Sequence, residues 1–267
     1  MTESTPTLLE AVRDVARLAG DIALRHFRTS LAVEAKADGS PVTIADRSAE
    51  HAAREWIAAR FPSDGVLGEE LGAARHDARR RWVIDPIDGT KTFIRGVPLW
   101  GTLVAVLDGD AVAAGAAYFP AVGEMVAAAP GCGAWWNDSR CSVSPVSSIA
   151  QATVLTTDER FPHDAEQRRA WRDLAARALV SRSWGDCYGY LLVATGRAEV
   201  MADGILNLWD IAPFMPIIEE AGGVLTDWSG ARTPFGGSAI ATNRALASTV
   251  RDALRVSPAR RAENAHA

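Results

Sequence analysis

The chain has 267 residues, 48% of them hydrophobic, and a formal net charge of −5. This length is enough for one or two lobes, each with a sizeable core. The acidic balance argues against a protein that binds nucleic acid through phosphate contacts, because such proteins present a basic face. The three cysteines form no CxxC pair and no Cys/His cluster, so neither a disulfide framework nor a structural zinc site is indicated.

The first residues contain acids and lack a basic stretch followed by an apolar run, so they do not resemble a signal peptide. No segment approaches the roughly 20 consecutive apolar residues of a membrane span. These features predict a soluble, cytoplasmic protein that has no membrane or nucleic-acid partner.

Periodic apolar residues predict two helices near the start of the chain. The first covers 7–28, and the second runs from an N-cap at Thr43 to about Arg60. Between them, residues 33–42 are rich in turn formers. We therefore expect two helices joined by an irregular loop.

The next part of the chain favours β-structure. A loop or strand edge at 65–72 carries Glu69 and Glu70, and the apolar run 82–84 predicts a buried strand. Beyond it the pattern changes to period two with turn signals, which predicts a meander of two hairpins. The four meander strands are expected at 99–107, 111–119, 123–129 and 134–137.

The C-terminal half alternates between strands and helices, after a link rich in Ser and Pro at 139–150. We expect strands near 152–156, 179–183, 197–202, 224–228 and 239–242, and helices at about 164–178, 187–195, 210–221 and 244–255. This pattern predicts an N-terminal α+β lobe over 1–145, a C-terminal α/β lobe over 146–257 and a flexible tail over 258–267.

Two aspartates, Asp85 and Asp88, follow the buried strand together, with Pro86 stiffening the turn between them. Carboxylates held close together repel each other, and a divalent cation resolves the conflict. Gly89 and Thr90 come next, at a point where backbone N–H groups can face an anion. The stretch therefore predicts a site for metal and phosphate. Because the candidate ligands are all oxygen, Mg²⁺ or Mn²⁺ is favoured over zinc.

Four motifs along the chain carry a resemblance to a known family. They are Asp46, the GEE at 68–70, the DPIDGT at 85–90, and the WD at 209–210 followed by Ile211-Ala212. Lys36 to Asp38, Val42-Thr43 and the EAGG at 220–223 extend the match over nearly the whole chain. This set resembles the inositol monophosphatase superfamily of Mg²⁺-dependent, lithium-sensitive phosphatases.

The resemblance implies a fold of the α/β (α+β) class, a layered αβαβα sandwich. Its N-terminal lobe has a mainly antiparallel sheet, and its C-terminal lobe is mixed α/β. Members of the family are commonly dimers, so a homodimer is expected.

The resemblance also implies a set of metal ligands. Glu69, Asp85 and the backbone carbonyl of Ile87 hold one Mg²⁺, while Asp85, Asp88 and Asp210 hold a second. A third, weaker ion lies near Glu69, which gives two to three ions per site, with Mn²⁺ as an alternative.

The implied reaction is in-line attack of water on a phosphate ester, without a covalent phosphoenzyme. The Thr90 hydroxyl, backed by Asp46, acts with Glu69 to orient and deprotonate the water. Gly89 and Thr90 supply N–H groups to the phosphate. Electrostatic stabilisation by the metal site is then the main catalytic effect.

The residues after DGT point to one branch of the family. Lys91-Thr92-Phe93, the run 183–201 and the LNLWD at 206–210 resemble the histidinol-phosphatase branch of actinobacteria and plants. The resemblance places Asp186 and Asp203 against the non-phosphate end of the substrate. Two acids there suit histidinol phosphate, which carries an ammonium and an imidazole, whereas inositol needs only hydroxyl partners.

The substrate contacts implied in this way are Glu69, Ile87, Asp88, Gly89, Thr90, Arg182, Gly185, Asp186, Asp203 and Asp210. For Arg182 a structural or subunit-contact role is equally open. The alternative for Asp186 is a solvated or capping acid at the start of the 187–195 helix, and for Asp203 an acid in the turn before Gly204.

The sequence analysis thus favours a histidinol-phosphatase in histidine biosynthesis. A phosphatase acting on inositol-1-phosphate or on a broad range of sugar phosphates is the alternative. A regulatory binding protein on the same scaffold is the alternative of another class, but such a protein would not need every metal ligand.

Overall fold

The computed structural model describes residues 5–30, 32–36, 41–161 and 164–254. The tail predicted over 258–267 lies outside the described residues, and so does Asp38. Within the described part, no helix has both the length and the apolarity needed to cross a bilayer.

Two helices begin the fold, α1 (Thr5–Leu24) and α2 (Ile44–Arg60). The predicted cap of α2 is confirmed: the Thr43 side chain accepts a hydrogen bond from the Ala45 N–H, and Asp46 accepts one from the Thr43 N–H. This reciprocal capping satisfies N–H groups that have no partner within the helix.

The first large sheet has eight strands, and the predicted meander of hairpins is confirmed within it. Its strands are β3 (Gly65–Gly68), β4 (Gly72–Ala74), β5 (Arg80–Asp88), β6 (Gly101–Asp108), β7 (Ala111–Phe119), β8 (Glu124–Ala129), β9 (Gly133–Trp136) and β10 (Ser139–Arg140). They lie in the order β10-β9-β8-β7-β6-β5-β3-β4. Only β3 and β5 are parallel neighbours, so the sheet is mainly antiparallel as expected. A separate two-stranded ribbon pairs β1 (Glu34–Ala35) with β2 (Pro41–Val42).

The second sheet has five strands and is mixed, as predicted for the C-terminal lobe. Its strands are β11 (Thr153–Leu155), β12 (Val180–Arg182), β13 (Val200–Asp203), β14 (Val224–Thr226) and β15 (Ala239–Thr242), in the order β12-β11-β13-β15-β14. The pairs of β11 are parallel and those of β15 are antiparallel.

The remaining helices lie between or beside the two sheets. They are α3 (Thr90–Phe93), α4 (Ala165–Ala175), α5 (Asp186–Ala194), α6 (Leu208–Ile211), α7 (Phe214–Glu220) and α8 (Ala247–Leu254). The single helix predicted from Asp210 to Ala221 is wrong. The chain instead forms two short helices, α6 and α7, on either side of Pro213. Proline cannot donate the backbone hydrogen bond that a continuous helix needs at this position.

Buried side chains form continuous layers between these elements. One apolar cluster joins α1 and α2 to one face of the first sheet. Another packs α5 and α7 against the opposite face of that sheet and against β13 and β15. A third covers the outer face of the second sheet with α4 and α8. The fold is thus the layered α+β arrangement that was expected. The boundary predicted at 145/146 falls between β10 and β11, and the division into two lobes remains a prediction.

Candidate active site

Asp85 and Asp88 lie in the last part of β5, where its pairing with β6 is irregular. In a regular strand, residues three apart point to opposite faces of the sheet. The irregularity between these two positions, which includes Pro86, changes the register and brings both carboxylates to the same side. Asp85 is buried and Asp88 is partly exposed.

Asp210 completes the acidic cluster from the C-terminal half of the chain. It is the third residue of α6, and its Oδ2 accepts a hydrogen bond of 2.7 Å from the Asn207 N–H. This capping contact fixes the carboxylate at the start of the helix. Asp85, Asp88 and Asp210 each offer an oxygen, and these oxygens all lie within 4.8 Å of one another.

The cluster is electrostatically unfavourable when all of its members are ionised. Burial, followed by the charges of Glu69, Asp88 and Asp210, raises the pKa of Asp85 well above its ordinary value. Burial also raises the pKa of Asp88, as do the neighbouring carboxylates. Burial raises the pKa of Asp210 to about 7, although the Asn207 N–H partly offsets the effect. A cation placed among these groups would remove the conflict.

The chemistry of the donors fits Mg²⁺. Three convergent carboxylates form a hard, all-oxygen set of the kind that Mg²⁺ and Mn²⁺ prefer, and no His or Cys belongs to the cluster. Ionised acids that repel one another in a buried group are stabilised by a bound cation. We therefore regard the described residues as fitting a divalent-cation centre.

Glu69 stands beside this cluster and is paired with a lysine. Lys36 Nζ lies 2.6 Å from Glu69 Oε1 and 2.7 Å from Glu70 Oε1. Burial lowers the pKa of Lys36, but the hydrogen bonds and charges of the two glutamates outweigh this effect and raise it overall. Burial raises the pKa of Glu70 to about 7, and Lys36 limits the rise. The ammonium group thus already occupies a cation position next to Glu69.

Gly89 and Thr90 form the turn from β5 into α3. Gly89 has a φ of 83°, in the left-handed region that favours glycine. The Thr90 hydroxyl donates a 3.0 Å hydrogen bond to the carbonyl of Ile87. The first N–H groups of a helix have no partner within it, and both Gly89 and Thr90 line the cavity beside the acidic cluster.

Asp46 is buried but is not bonded to Thr90. Its Oδ2 accepts hydrogen bonds from the N–H and the hydroxyl of Thr43, at 2.8 and 2.7 Å. Its Oδ1 has no partner among the described residues. The described residues therefore contain no hydrogen bond between the Asp46 carboxylate and the Thr90 hydroxyl. The role of Asp46 remains a prediction.

The start of α5 closes the site on another side. The Cys187 N–H donates to Asp88 Oδ2 at 2.6 Å, and the Thr92 hydroxyl donates to Asp186 Oδ2 at 3.1 Å. Asp186 also lies close to Gly89, where a side chain would come within 3.2 Å of its carboxylate. The resulting cavity has a volume of about 250 Å³. It is lined by Pro41, Glu69, Asp85, Ile87, Asp88, Gly89, Thr90, Lys91, Asp186, Asn207 and Asp210.

A second cavity of about 240 Å³ adjoins the first, since Lys91 lines both. It is lined by Lys91, Thr157, Asp158, Phe161, Asp164, Gln167, Asp203, Gly204 and Ile205. Asp203 is buried at its edge, where Oδ1 accepts from the Thr157 N–H at 2.9 Å and Oδ2 from the Tyr190 hydroxyl at 3.0 Å. Asp203 therefore already has internal partners.

Two of the predicted substrate contacts lie apart from these cavities. Arg182 is on the edge strand β12, where its guanidinium donates to the Ser181 carbonyl at 2.7 Å, and it lines neither cavity. Gly185 caps α5 and packs so closely on Thr157 that any side chain would overlap the Thr157 backbone. Its place is explained by packing, and substrate contact by either residue remains a prediction.

Sequence reasoning did not select Asp158, Phe161 or Gln167, which line the second cavity. They lie between β11 and α4 and within α4, in a segment without a family motif. The signal available was the position of this segment, directly after a predicted strand, where loops of α/β folds line ligand clefts.

Comparison with known proteins places this geometry in a family. The profile of the inositol monophosphatase family matches residues 5–262. The chain is 43% identical to the histidinol-phosphatase of Chlorobaculum parvum, over 91% of this chain and 94% of that protein. It is 37% identical to the histidinol-phosphatase of Mycobacterium tuberculosis, over 84% and 88%. The crystal structure of extragenic suppressor protein suhB from Bartonella henselae superposes with a TM-score of 0.88 at 28% identity, covering 93% of this chain and 98% of that one.

Proposed function

Because the chain belongs to the inositol monophosphatase family and is a phosphoric monoester hydrolase, we propose that it hydrolyses histidinol phosphate to histidinol and phosphate. The observation that carries this proposal is the 43% identity to a histidinol-phosphatase along nearly the full length of both chains. The cavities support it, since a cluster of acids suited to a metal adjoins a second cavity that Asp158, Asp164 and Asp203 line. The reaction would serve histidine biosynthesis.

The enzyme would use Mg²⁺, with Mn²⁺ as an alternative and two to three ions per site. Asp85, Asp88 and Asp210 would hold one ion, and Glu69, Asp85 and the Ile87 carbonyl another. The bound ions supply positive charge that stabilises the phosphoryl and leaving oxygens and lowers the pKa of water. Lys36 would have to release Glu69 for that carboxylate to serve as a ligand.

The chain's own groups would orient the phosphate and the water. Gly89 and Thr90 line the cavity, and their backbone N–H groups would hold phosphate oxygens. Glu69 lines the same cavity and would accept a proton from the attacking water, which the Thr90 hydroxyl would orient. Asp46 would act through Thr90, using its unpartnered Oδ1.

The non-phosphate end of the substrate would extend towards the second cavity. Asp186 lines the first cavity and Asp203 the second, and Lys91 lines both. An ammonium or imidazolium group placed there would be attracted by both carboxylates. This arrangement supports a small cationic alcohol as the leaving group.

Phosphate release from histidinol phosphate and from inositol-1-phosphate, with Mg²⁺ and with chelator, tests the proposal. We expect kcat/KM to favour histidinol phosphate and activity to vanish on chelation. A preference for inositol-1-phosphate would show that histidinol phosphate is not the substrate and would favour an inositol-phosphate phosphatase. The absence of turnover on both esters would favour a regulatory binding protein.

We also propose that the protein is a cytoplasmic homodimer. The edge strand β12 is flanked by two exposed apolar side chains, Leu179 (69% exposed) and Trp184 (44% exposed). Apolar groups beside an unpaired sheet edge favour contact with a second copy. Light scattering on the purified protein would give twice the 28.5 kDa chain mass if this is correct.

A further inference from the structure

Glu50 is a fully buried carboxylate that the proposed chemistry does not use. It lies on the inner face of α2, one turn after Asp46, and is 0% exposed. A charge in such a position is strongly unfavourable unless it is paired and hydrogen-bonded. Its partners therefore show what it holds in place.

All of these partners lie in α2 or in the turn between β3 and β4. Glu50 Oε2 accepts a 2.8 Å hydrogen bond from the Glu70 N–H, and Oε1 accepts one of 3.2 Å from the Leu71 N–H. Arg54 Nε lies 2.7 Å from Glu50 Oε1, and its Nη2 donates to the Gly72 carbonyl. The Glu50–Arg54 pair thus binds three successive residues of the turn.

Gly68, at the end of β3, allows the turn to lie this close to the Glu50 carboxylate. A Cβ on Gly68 would overlap the Glu50 carboxylate, so only glycine allows the end of β3 to approach it this closely. The turn is therefore held from residue 68 to residue 72 by one carboxylate and its arginine.

Glu69 lies within this segment, directly after Gly68. Its backbone N–H donates to the Ile84 carbonyl at 3.1 Å, which extends the parallel pairing of β3 with β5. Its side chain lines the same cavity as Asp85. The position of the turn thus sets the distance between Glu69 and Asp85.

We propose that Glu50, together with Arg54, is a positioning residue for the divalent-cation centre. It fixes the backbone that carries Glu69 beside β5, so that less ordering of this ligand would be needed when a cation binds. The inference rests on the metal-dependent function proposed above. Groups that orient metal ligands typically contribute about 10- to 100-fold to metal affinity.

The test is a calorimetric titration with Mg²⁺ alone, without substrate, on wild type, Glu50→Gln and Glu55→Gln. Glu55 lies on the exposed face of the same helix and serves as the matched control. We expect the Kd for Mg²⁺ to rise about tenfold or more in E50Q and to stay unchanged in E55Q. In phosphatase assays kcat of E50Q should stay within about threefold of wild type once Mg²⁺ is saturating, because no reacting group is lost.

Arg54→Lys keeps the charge but loses the guanidinium contacts. This variant tests the positioning role if E50Q does not fold. We expect its Kd for Mg²⁺ to rise several-fold. A wild-type Kd in R54K, or in a folded E50Q whose only change is a lower Tm, would overturn the inference and leave a structural role. A wild-type chain that binds no Mg²⁺ would overturn both this inference and the proposed function.

Discussion

The hydroxyl of Tyr190 donates a 3.0 Å hydrogen bond to Asp203 Oδ2, and both side chains are buried between β13 and α5. Burial raises the pKa of Asp203 to about 6, although the Thr157 N–H and the Tyr190 hydroxyl limit the rise. Asp203 was predicted from sequence as a substrate contact, yet it is also an internal acceptor that joins β13, α5 and the end of β11.

This contact predicts a pH-dependent stability. The folded pKa of Asp203 lies above the ordinary value of 3.8, so its contribution to stability is fully present below about pH 4 and is lost as the pH rises through about 6. We expect Asp203→Asn to remove this loss, on the order of 1–3 kcal/mol between pH 4 and pH 7 relative to wild type. Urea unfolding of both proteins across this range measures it.

Asp173→Asn is the control for this experiment, because Asp173 is an exposed carboxylate (76%) on α4. Its pH profile should follow that of wild type. Parallel wild-type and D203N profiles would show that Asp203 does not titrate in this range.

The acidic cluster predicts separate effects on stability and on turnover. Asp85→Asn and Asp210→Asn each remove one charge from a group of mutually repelling carboxylates. We expect metal-free variants to be at least as stable as wild type at pH 8, while kcat falls about 100-fold or more because charge stabilisation is lost. Thermal unfolding in chelator and phosphate release in excess Mg²⁺ provide the two readouts. Near-normal kcat in both variants would refute the metal assignment.

Removal of the metal should lower the stability of the protein more at high pH than at low pH. Burial raises the pKa of Asp210 to about 7. In the metal-free protein, the contribution of Asp210 to the free energy of unfolding is therefore fully present below about pH 4 and is lost as the pH rises through 7. A cation bound only to the folded state adds about 2.7 kcal/mol at 100 times its Kd. We therefore expect the Mg²⁺-induced rise in Tm to be larger at pH 8 than at pH 6. An equal rise at both pH values, or one that persists in D85N, would contradict this expectation.

Much of the site was predictable because its parts carry their own local signals. The buried strand that carries Asp85, the cap at Thr43 and the hairpins all follow from apolar periodicity and turn chemistry, and they are confirmed. The convergence of Asp210 with Asp85 is different in kind. Residues 125 positions apart in sequence have no local signal for contact, and only the family resemblance related them.

Other features could not be predicted, for physical reasons. The 2.6 Å contact between the Cys187 N–H and Asp88 uses a backbone donor, and every residue except proline has such a donor. Pro213 was visible in the sequence, yet a single helix was predicted over 210–221. Glu50 carried a weak signal, since an acid one turn after Asp46 on an apolar helix face has to find partners.

The second cavity predicts a substrate-specific effect at Gln167. This side chain lies on α4 and lines the cavity with Asp203 and Phe161, away from the acidic cluster. Its amide can donate to or accept from an imidazole, and one hydrogen bond is worth about 0.5–1.5 kcal/mol. We expect Gln167→Ala to raise KM for histidinol phosphate about 2- to 10-fold with little change in kcat.

The effect should depend on the leaving group, because the phosphate is proposed to bind in the first cavity, beside Gly89 and Thr90. With p-nitrophenyl phosphate, which has no cationic or imidazole group, Q167A and wild type should have the same kcat/KM. Glu166→Ala, which truncates the exposed neighbour on α4, should behave as wild type with both esters. An equal loss on both esters would show that Gln167 supports the fold of α4, and an unchanged KM for histidinol phosphate would show that the imidazole does not reach this cavity.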